Sequence, residues 1–198
     1  MRRSFFTMCA LVLGVGLSIA QPPVSIDPTN PWNETRCQLQ AGHQYLFTAE
    51  VDTKFGPYLD KTIPCTPDGP SNSKGRFMDW LARDARHWWN PAHWIGPGKV
   101  KRLRVLEDPE SHIKAHFLTI IGAIGMDDSG KNVFVIGSRR RKIIHADGPL
   151  YVFSNDWPGG PGEAGPCRFE NSESYANNKG RIILTVQDLG IPSGTGLK

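Results

Sequence analysis

Asp156 and the adjacent pair Asn177-Asn178 gather most of the hard-oxygen chemistry in this 198-residue chain. The carboxylate ends an apolar run, Gly148-Pro149-Leu150-Tyr151-Val152-Phe153-Ser154-Asn155-Asp156. The amides sit in Ser174-Tyr175-Ala176-Asn177-Asn178-Lys179-Gly180, which leads into Arg181-Ile182-Ile183-Leu184-Thr185-Val186. One carboxylate, two amide oxygens and loop carbonyls are the ligand types that Ca²⁺ prefers. Consecutive side chains on a strand point to opposite faces, so both amides reach one ion only where the backbone turns. Asn tolerates the left-handed region, and Gly180 is where a hairpin would regain strand geometry. A plain β-turn without an ion suits the same residues. The local sequence supports both readings equally.

Other constellations carry less. His112 and His116 are four apart, a zinc spacing on a helix, but Ile113, Ala115 and Phe117 alternate through them, which predicts a strand with both imidazoles on its polar side. No Glu follows His112, so the HExxH pattern is absent. A glycosidase needs two carboxylates across a sugar bond, and Asp147, Asp156, Glu163, Glu170 and Glu173 are the candidates. Acidic residues in a Gly-rich loop are more often simply solvated. No Gly-x-Ser-x-Gly elbow and no phosphate-binding Gly loop occurs. Trp88, Trp89 and Trp94 suggest a sugar-stacking platform, although rings at helical spacing are more often core. Asn33-Glu34-Thr35 is a formal glycosylation sequon.

The elements that must position these residues are mainly strands. Residues 1–20 read as a secretory signal peptide, with Arg2 and Arg3 before an apolar run, small residues at 18 and 20, and cleavage near Ala20-Gln21. The run is short for a ~20-residue membrane span, so no span is expected in the mature chain. Residues 21–36 are expected as an extended lead-in, 37–190 as one β domain and 191–198 as a tail. Tyr45, Phe47, Ala49 and Val51 alternate with polar or smaller neighbours, the period of a half-buried strand. Phe77, Trp80, Leu81, Ala85 and Trp88 recur at three and four, which predicts one amphipathic helix from Arg76 to Trp88. Val100 to Val105, Ile113 to Ile121, Val133 to Ile136 and Ile143-Ile144 mark further strands. The fold expected is all-β, an antiparallel β-sandwich of jelly-roll or galactose-binding-domain-like type, with one short inserted helix.

Charge and cysteines bound the partners and the compartment. The net charge of +4 falls to about +2 when Arg2 and Arg3 leave with the leader. That balance does not suggest nucleic acid, and Arg139-Arg140-Arg141-Lys142 reads as a solvated hairpin turn. Cys37, Cys65 and Cys167 remain after cleavage, in an exported chain where disulfides persist. One bridge is expected, Cys37 with Cys65 being favoured and Cys65 with Cys167 left open.

The end of the chain, Leu150 to Asp156 and then Ser174-Tyr175-Ala176-Asn177-Asn178-Lys179-Gly180 running into a strand, resembles the calcium-binding region of the PA-I galactophilic lectin family. Leu39 to Ala49 followed by Phe55-Gly56-Pro57 is similar to that family's first strand and first calcium loop. Phe117 to Gly122 and Phe134 to Gly137 are similar to its central strands. The resemblance implies a sandwich holding one Ca²⁺ at its tip, with the ion binding two adjacent hydroxyls of a galactose-like sugar. The implied ligands are the Asp156 carboxylate, the Asn177 and Asn178 side-chain oxygens, and the main-chain carbonyls of Phe55 and Ser174. Asp156 and Asn177 would also hydrogen-bond the sugar. Against the family pattern the chain carries an insertion, Trp157 to Glu173, and a helix with no counterpart. Tyr58 and Trp157 are the expected stacking residues.

The expectation is therefore a secreted or periplasmic, calcium-dependent carbohydrate-binding module without catalysis. Self-association is left open. A structural or protein-interaction sandwich is the alternative, and a glycan hydrolase comes third.

Overall fold

Residues 20–83, 103–127, 132–156 and 173–192 are described in the computed structural model. Residues 1–19 of the predicted leader, Trp88, Trp89, Trp94, Trp157 and Cys167 lie outside them. In chain order the strands are β1 (Val24–Ile26), β2 (Asn33–Leu39), β3 (Gln44–Val51), β4 (Leu59–Asp60), β5 (Ile63–Thr66) and β6 (Gly69–Pro70). Helix α1 (Ser73–Arg83) follows, then β7 (Ile120–Ile124), β8 (Val133–Val135), β9 (Arg139–Ile143) and β10 (Gly148–Ser154). One helical turn, α2 (Glu173–Ala176), precedes β11 (Asn178–Lys179) and β12 (Ile182–Asp188).

Two four-stranded sheets, ordered β1-β12-β3-β9 and β2-β10-β7-β8, face one another, and a smaller sheet runs β11-β4-β5-β6. All pairings are antiparallel. Tyr45, Phe47 and Ala49 of β3 point inward at alternate positions, as do Ile182, Leu184 and Val186 of β12. They meet Leu39, Ile120, Phe134, Leu150 and Val152 from the other sheet in one core. The Phe47 and Phe134 rings lie 5.2 Å apart across it. The chain is thus an antiparallel β-sandwich with one short inserted helix.

The segment expected as a lead-in supplies β1 and the start of β2, because Ile26 and the alternating Asn33–Leu39 face have core to bury against. The sequon nitrogen is not on the surface: Asn33 is 9% exposed, and its amide donates to the carbonyls of Asp27, Asn30 and Val152. Acceptance of a glycan needs a surface nitrogen.

The alternation from Ile113 to Thr119 is not a strand. His112 and Leu118 have φ of 54° and 57°, and residues 103–118 instead cover the outer face of the second sheet. There Val105 and Ala115 pack with Ile121, Ala123, Val133, Val135 and Phe153. A sheet buried on both faces reads as continuous apolar sequence, which is why β7 and β8 are buried at every position. The Arg104 guanidinium holds the cover in place from between the Trp32 and Phe153 rings, 3.9 and 3.7 Å from their centroids.

The basic run is also no turn but the edge strand β9. Arg139 and Arg141 point outward, while Lys142 is buried and reaches Glu110 at 2.7 Å and Asp108 at 3.6 Å. An inward-pointing charge blunts an edge against further strand pairing. Asp108 is desolvated, yet backbone donors from Ser111, Glu110 and Val135, together with Lys142, hold its carboxyl below the usual range.

Helix α1 begins three residues before Arg76, because the Asn72 side chain accepts from the Gly75 N–H as its cap. Its buried side carries Gly75 and Asp79, while Phe77 is 56% exposed and packs on Trp80. Asp79 accepts from the Phe117 N–H at 2.7 Å and pairs with His116 at 2.9 Å. His112 lies apart from that pair and is exposed beside Glu107. The expected Cys37–Cys65 bridge is absent: both thiols are free and buried, one in β2 of the second sheet and one in β5 of the small sheet. Burial pushes them up to about 11 and about 12 respectively. Among the described residues no helix is long and apolar enough to cross a membrane.

Candidate metal centre

β10 ends at Ser154, and the next two residues leave the ladder under tight control. Asn155 is fully buried. Its Oδ1 accepts from the Val105 N–H at 2.9 Å, and its Nδ2 donates to the carbonyls of Val105 and His116. That bracket sets the direction in which the chain presents Asp156, which is itself 1% exposed. On the other side, α2 turns Tyr175 into the interior, where its hydroxyl donates to the Ser154 carbonyl at 3.1 Å. Asn177 and Asn178 follow directly.

The small sheet places the amides. β11 pairs with β4 so that Asn178 lies opposite Asp60, and the Lys61 N–H donates to the Asn177 carbonyl. Gly180 has φ of 90°, and a Cβ there would sit 2.7 Å from the Pro57 carbonyl oxygen. Glycine therefore lets this hairpin close against the loop Phe55-Gly56-Pro57. Phe55 ends a 3-10 turn, Thr53–Phe55, whose N-cap Asp52 accepts from the Lys54 N–H. Its ring is 60% exposed.

Within this frame the Asn178 Nδ2 donates to Asp156 Oδ2 at 2.9 Å and to the Pro28 carbonyl at 3.0 Å. Two acceptors on the nitrogen side determine which end of the amide is which, since a flip would set oxygen against oxygen. Oδ1 must then point away from both. The Oδ1 atoms of Asn177 and Asn178 are buried, and neither has a hydrogen-bond donor among the described residues. A buried acceptor left unsatisfied costs about 1–3 kcal/mol. The Asn178 oxygen sits on the same amide whose nitrogen meets Asp156, so a buried carboxylate and an unsatisfied acceptor adjoin, an arrangement that suits a cation.

The donor types set which cation fits. Among the described residues no group of three or more His, Cys, Asp or Glu comes together, so the soft or nitrogen-rich ligation of zinc is not provided. A carboxylate with amide oxygens is the type of donor that Ca²⁺ prefers. The surroundings are protein rather than water. Burial raises the Tyr58 hydroxyl well above its ordinary value and Tyr175 to about 12, and in both the Asp156 charge adds to the rise.

Of the residues singled out from sequence, Asp156 and Asn178 are in contact here, and Asn177 precedes Asn178 in the chain. Ser174 lies in the turn just before them, and the Phe55 loop abuts the same hairpin. Tyr58 does not belong to the surface: it is 1% exposed, with its hydroxyl bonded to the Leu118 carbonyl and the Ser154 hydroxyl. A ring in that position packs the core and offers no face to a sugar. Trp157 lies outside the described residues, as do Glu163, Glu170 and the Glu173 side chain. Asp147 accepts from the Ala41 N–H at the start of β10, and Asp156 follows its end, so roughly 25 Å of strand separates them. Two residues were not anticipated. Asp60 is a buried carboxylate facing Asn178 across the β4–β11 pair, and Pro28 lends its carbonyl from 150 positions away.

No protein-family model matches this chain, and no curated protein matches it. Among solved structures, the chain is similar to one described as "EclA N-terminal domain; PllA-like lectin". The two are 14% identical, the match covers 85% of this chain and 97% of that one, and the TM-score is 0.47.

Proposed function

We propose that this protein is an exported, calcium-dependent carbohydrate-binding module. The reading is supported by the contact of the Asn178 amide with the Asp156 carboxylate and by the buried Asn177 and Asn178 oxygens, which have no hydrogen-bond donors among the described residues. Those three side chains, with the main-chain carbonyls of Phe55 and Ser174 that the resemblance to the PA-I galactophilic lectins implies, would hold the ion. Ca²⁺ takes roughly six to eight oxygens, so five protein positions leave room for two sugar hydroxyls. When bound, the ion supplies the positive charge that draws adjacent hydroxyls to it. Asp156 and Asn177 would accept from those hydroxyls. The exposed Phe55 ring at the rim is apolar surface against which a sugar face can rest.

The reading is of binding; of the carboxylate pairs singled out from sequence, the described one, Asp147 with Asp156, is much too far apart to flank one glycosidic bond, for which about 5–10 Å is needed. A sugar of galactose type is the first to test. Calorimetric titration with galactosides and a panel of other glycans, run with calcium and again with chelator, decides the matter. Heat with calcium that vanishes with chelator is the result expected, and no binding of any glycan under either condition would sink the proposal.

A further inference from the structure

The Asp27–Asn30 turn belongs to neither strand that flanks it, yet it touches the candidate centre twice. Buried Pro28 gives its carbonyl to the Asn178 Nδ2 at 3.0 Å. Asp27 Oδ2 holds Arg181 at 2.9 Å, and the Arg181 guanidinium carbon lies 5.7 Å from the centre of the Phe55 ring. The Arg181 carbonyl in turn accepts from the Asp52 N–H, which precedes the Phe55 turn. One four-residue turn is therefore linked to the side-chain amide nitrogen of Asn178 and to the loop that carries Phe55.

The turn is built to be rigid. Asp27 Oδ1 accepts from both the N–H and the hydroxyl of Thr29, at 2.9 and 2.6 Å. The Asn33 side chain spans it from behind, accepting from the Asp27 N–H and donating to the carbonyls of Asp27 and Asn30. β1 then ties the turn to β12. We infer that the Asp27–Asn30 turn is a positioning element of the ion site, holding the Asn178 amide with its oxygen toward the ion and steadying the Phe55 loop. With Pro28 withdrawn, only Asp156 would hold the amide, and the oxygen would spend part of its time elsewhere.

This inference rests on the ion-binding reading, and the test separates the two. Calcium affinity is measured by calorimetry for the wild type, Asp27→Ala and Asp27→Asn, alongside melting of the calcium-free proteins and NMR exchange of the Asn178 side-chain amide protons without calcium. Loss of a group that orients a metal ligand weakens binding about 10–100-fold, and Asp27→Ala is expected at the lower end of that range. Its Asn178 amide protons should exchange faster than in the wild type. Asp27→Asn keeps the acceptor for Thr29 but gives up the ion pair with Arg181, so its affinity should fall between those of Asp27→Ala and the wild type. If Asp27→Ala does not fold, Thr29→Ala loosens the same turn and takes its place. A wild type that binds calcium, with Asp27→Ala binding equally well, overturns this inference alone. A wild type that binds no calcium overturns both.

Discussion

The Asn178 amide nitrogen and Asp156 Oδ2 lie 2.9 Å apart in the interior, so each side chain orients the other, whereas neighbouring Asn177 presents a buried oxygen that nothing described satisfies. Both amide oxygens are unsatisfied, but Asn178 also bonds Asp156 and Pro28, so truncation should cost more at Asn178 than at Asn177 when calcium is absent. Asn178→Ala strips donors from Asp156 and Pro28, and should lower stability by about 1–3 kcal/mol. Asn177→Ala removes an unsatisfied acceptor and should leave the calcium-free protein unchanged or firmer. Urea unfolding in chelator checks the contrast.

Gly180 is the second test of the site's architecture. Its φ of 90° and the 2.7 Å approach of the Pro57 oxygen mean that Gly180→Ala must strain the backbone and push the hairpin from the Phe55 loop. A loss of about 1–3 kcal/mol is expected from the strain, with weaker calcium binding alongside it. Thermal melting and calcium titration of one variant read both.

Tyr58 separates the core from the binding surface. Tyr58→Phe keeps the ring and removes the hydroxyl that meets Leu118 and Ser154. It should destabilise by about 1–3 kcal/mol while leaving glycan affinity at the wild-type value. A glycan panel run on the variant would expose any direct role.

How much of this was readable beforehand follows the physics of each segment. β3 and β12 alternate because one face is core and the other is not, so Tyr45-Phe47-Ala49 announced itself. β7 does not alternate, because residues 103–118 bury its second face, and the period-two pattern from Ile113 to Thr119 belongs to that irregular cover. The charges of Arg139 to Lys142 suggested a turn because an edge strand with a buried, paired lysine has no distinctive composition. Asp156 and the two Asn residues stood out by type and by the surrounding motif, and of these Asp156 and Asn178 meet in the fold. Tyr58 was misjudged because closeness to Phe55 in sequence says nothing of facing: one ring is 60% exposed and the other 1%. Pro28 left no local signal, since its contact is made by a main-chain oxygen 150 positions from Asn178.

The buried thiols and phenols predict an alkaline limit. Burial raises Cys37 to about 11, Cys65 to about 12 and Tyr175 to about 12, with Tyr58 also raised. Each group is held neutral in the fold and ionises more readily in the unfolded chain. Its stabilising contribution is complete below the unfolded value, 9.0 for the thiols, and is lost as pH climbs through the folded values of about 11 and 12. Unfolding midpoints should fall across that window, and Cys65→Ala should flatten the decline. A flat profile across it would show that these groups are not desolvated.

The most direct measurement is the melting temperature of the wild type and of Asn177→Ala, each in millimolar calcium and in chelator. A ligand that binds only the folded state must raise its stability. The account predicts a higher Tm with calcium for the wild type, and no shift for Asn177→Ala. A wild-type Tm that is the same in calcium and in chelator would contradict it.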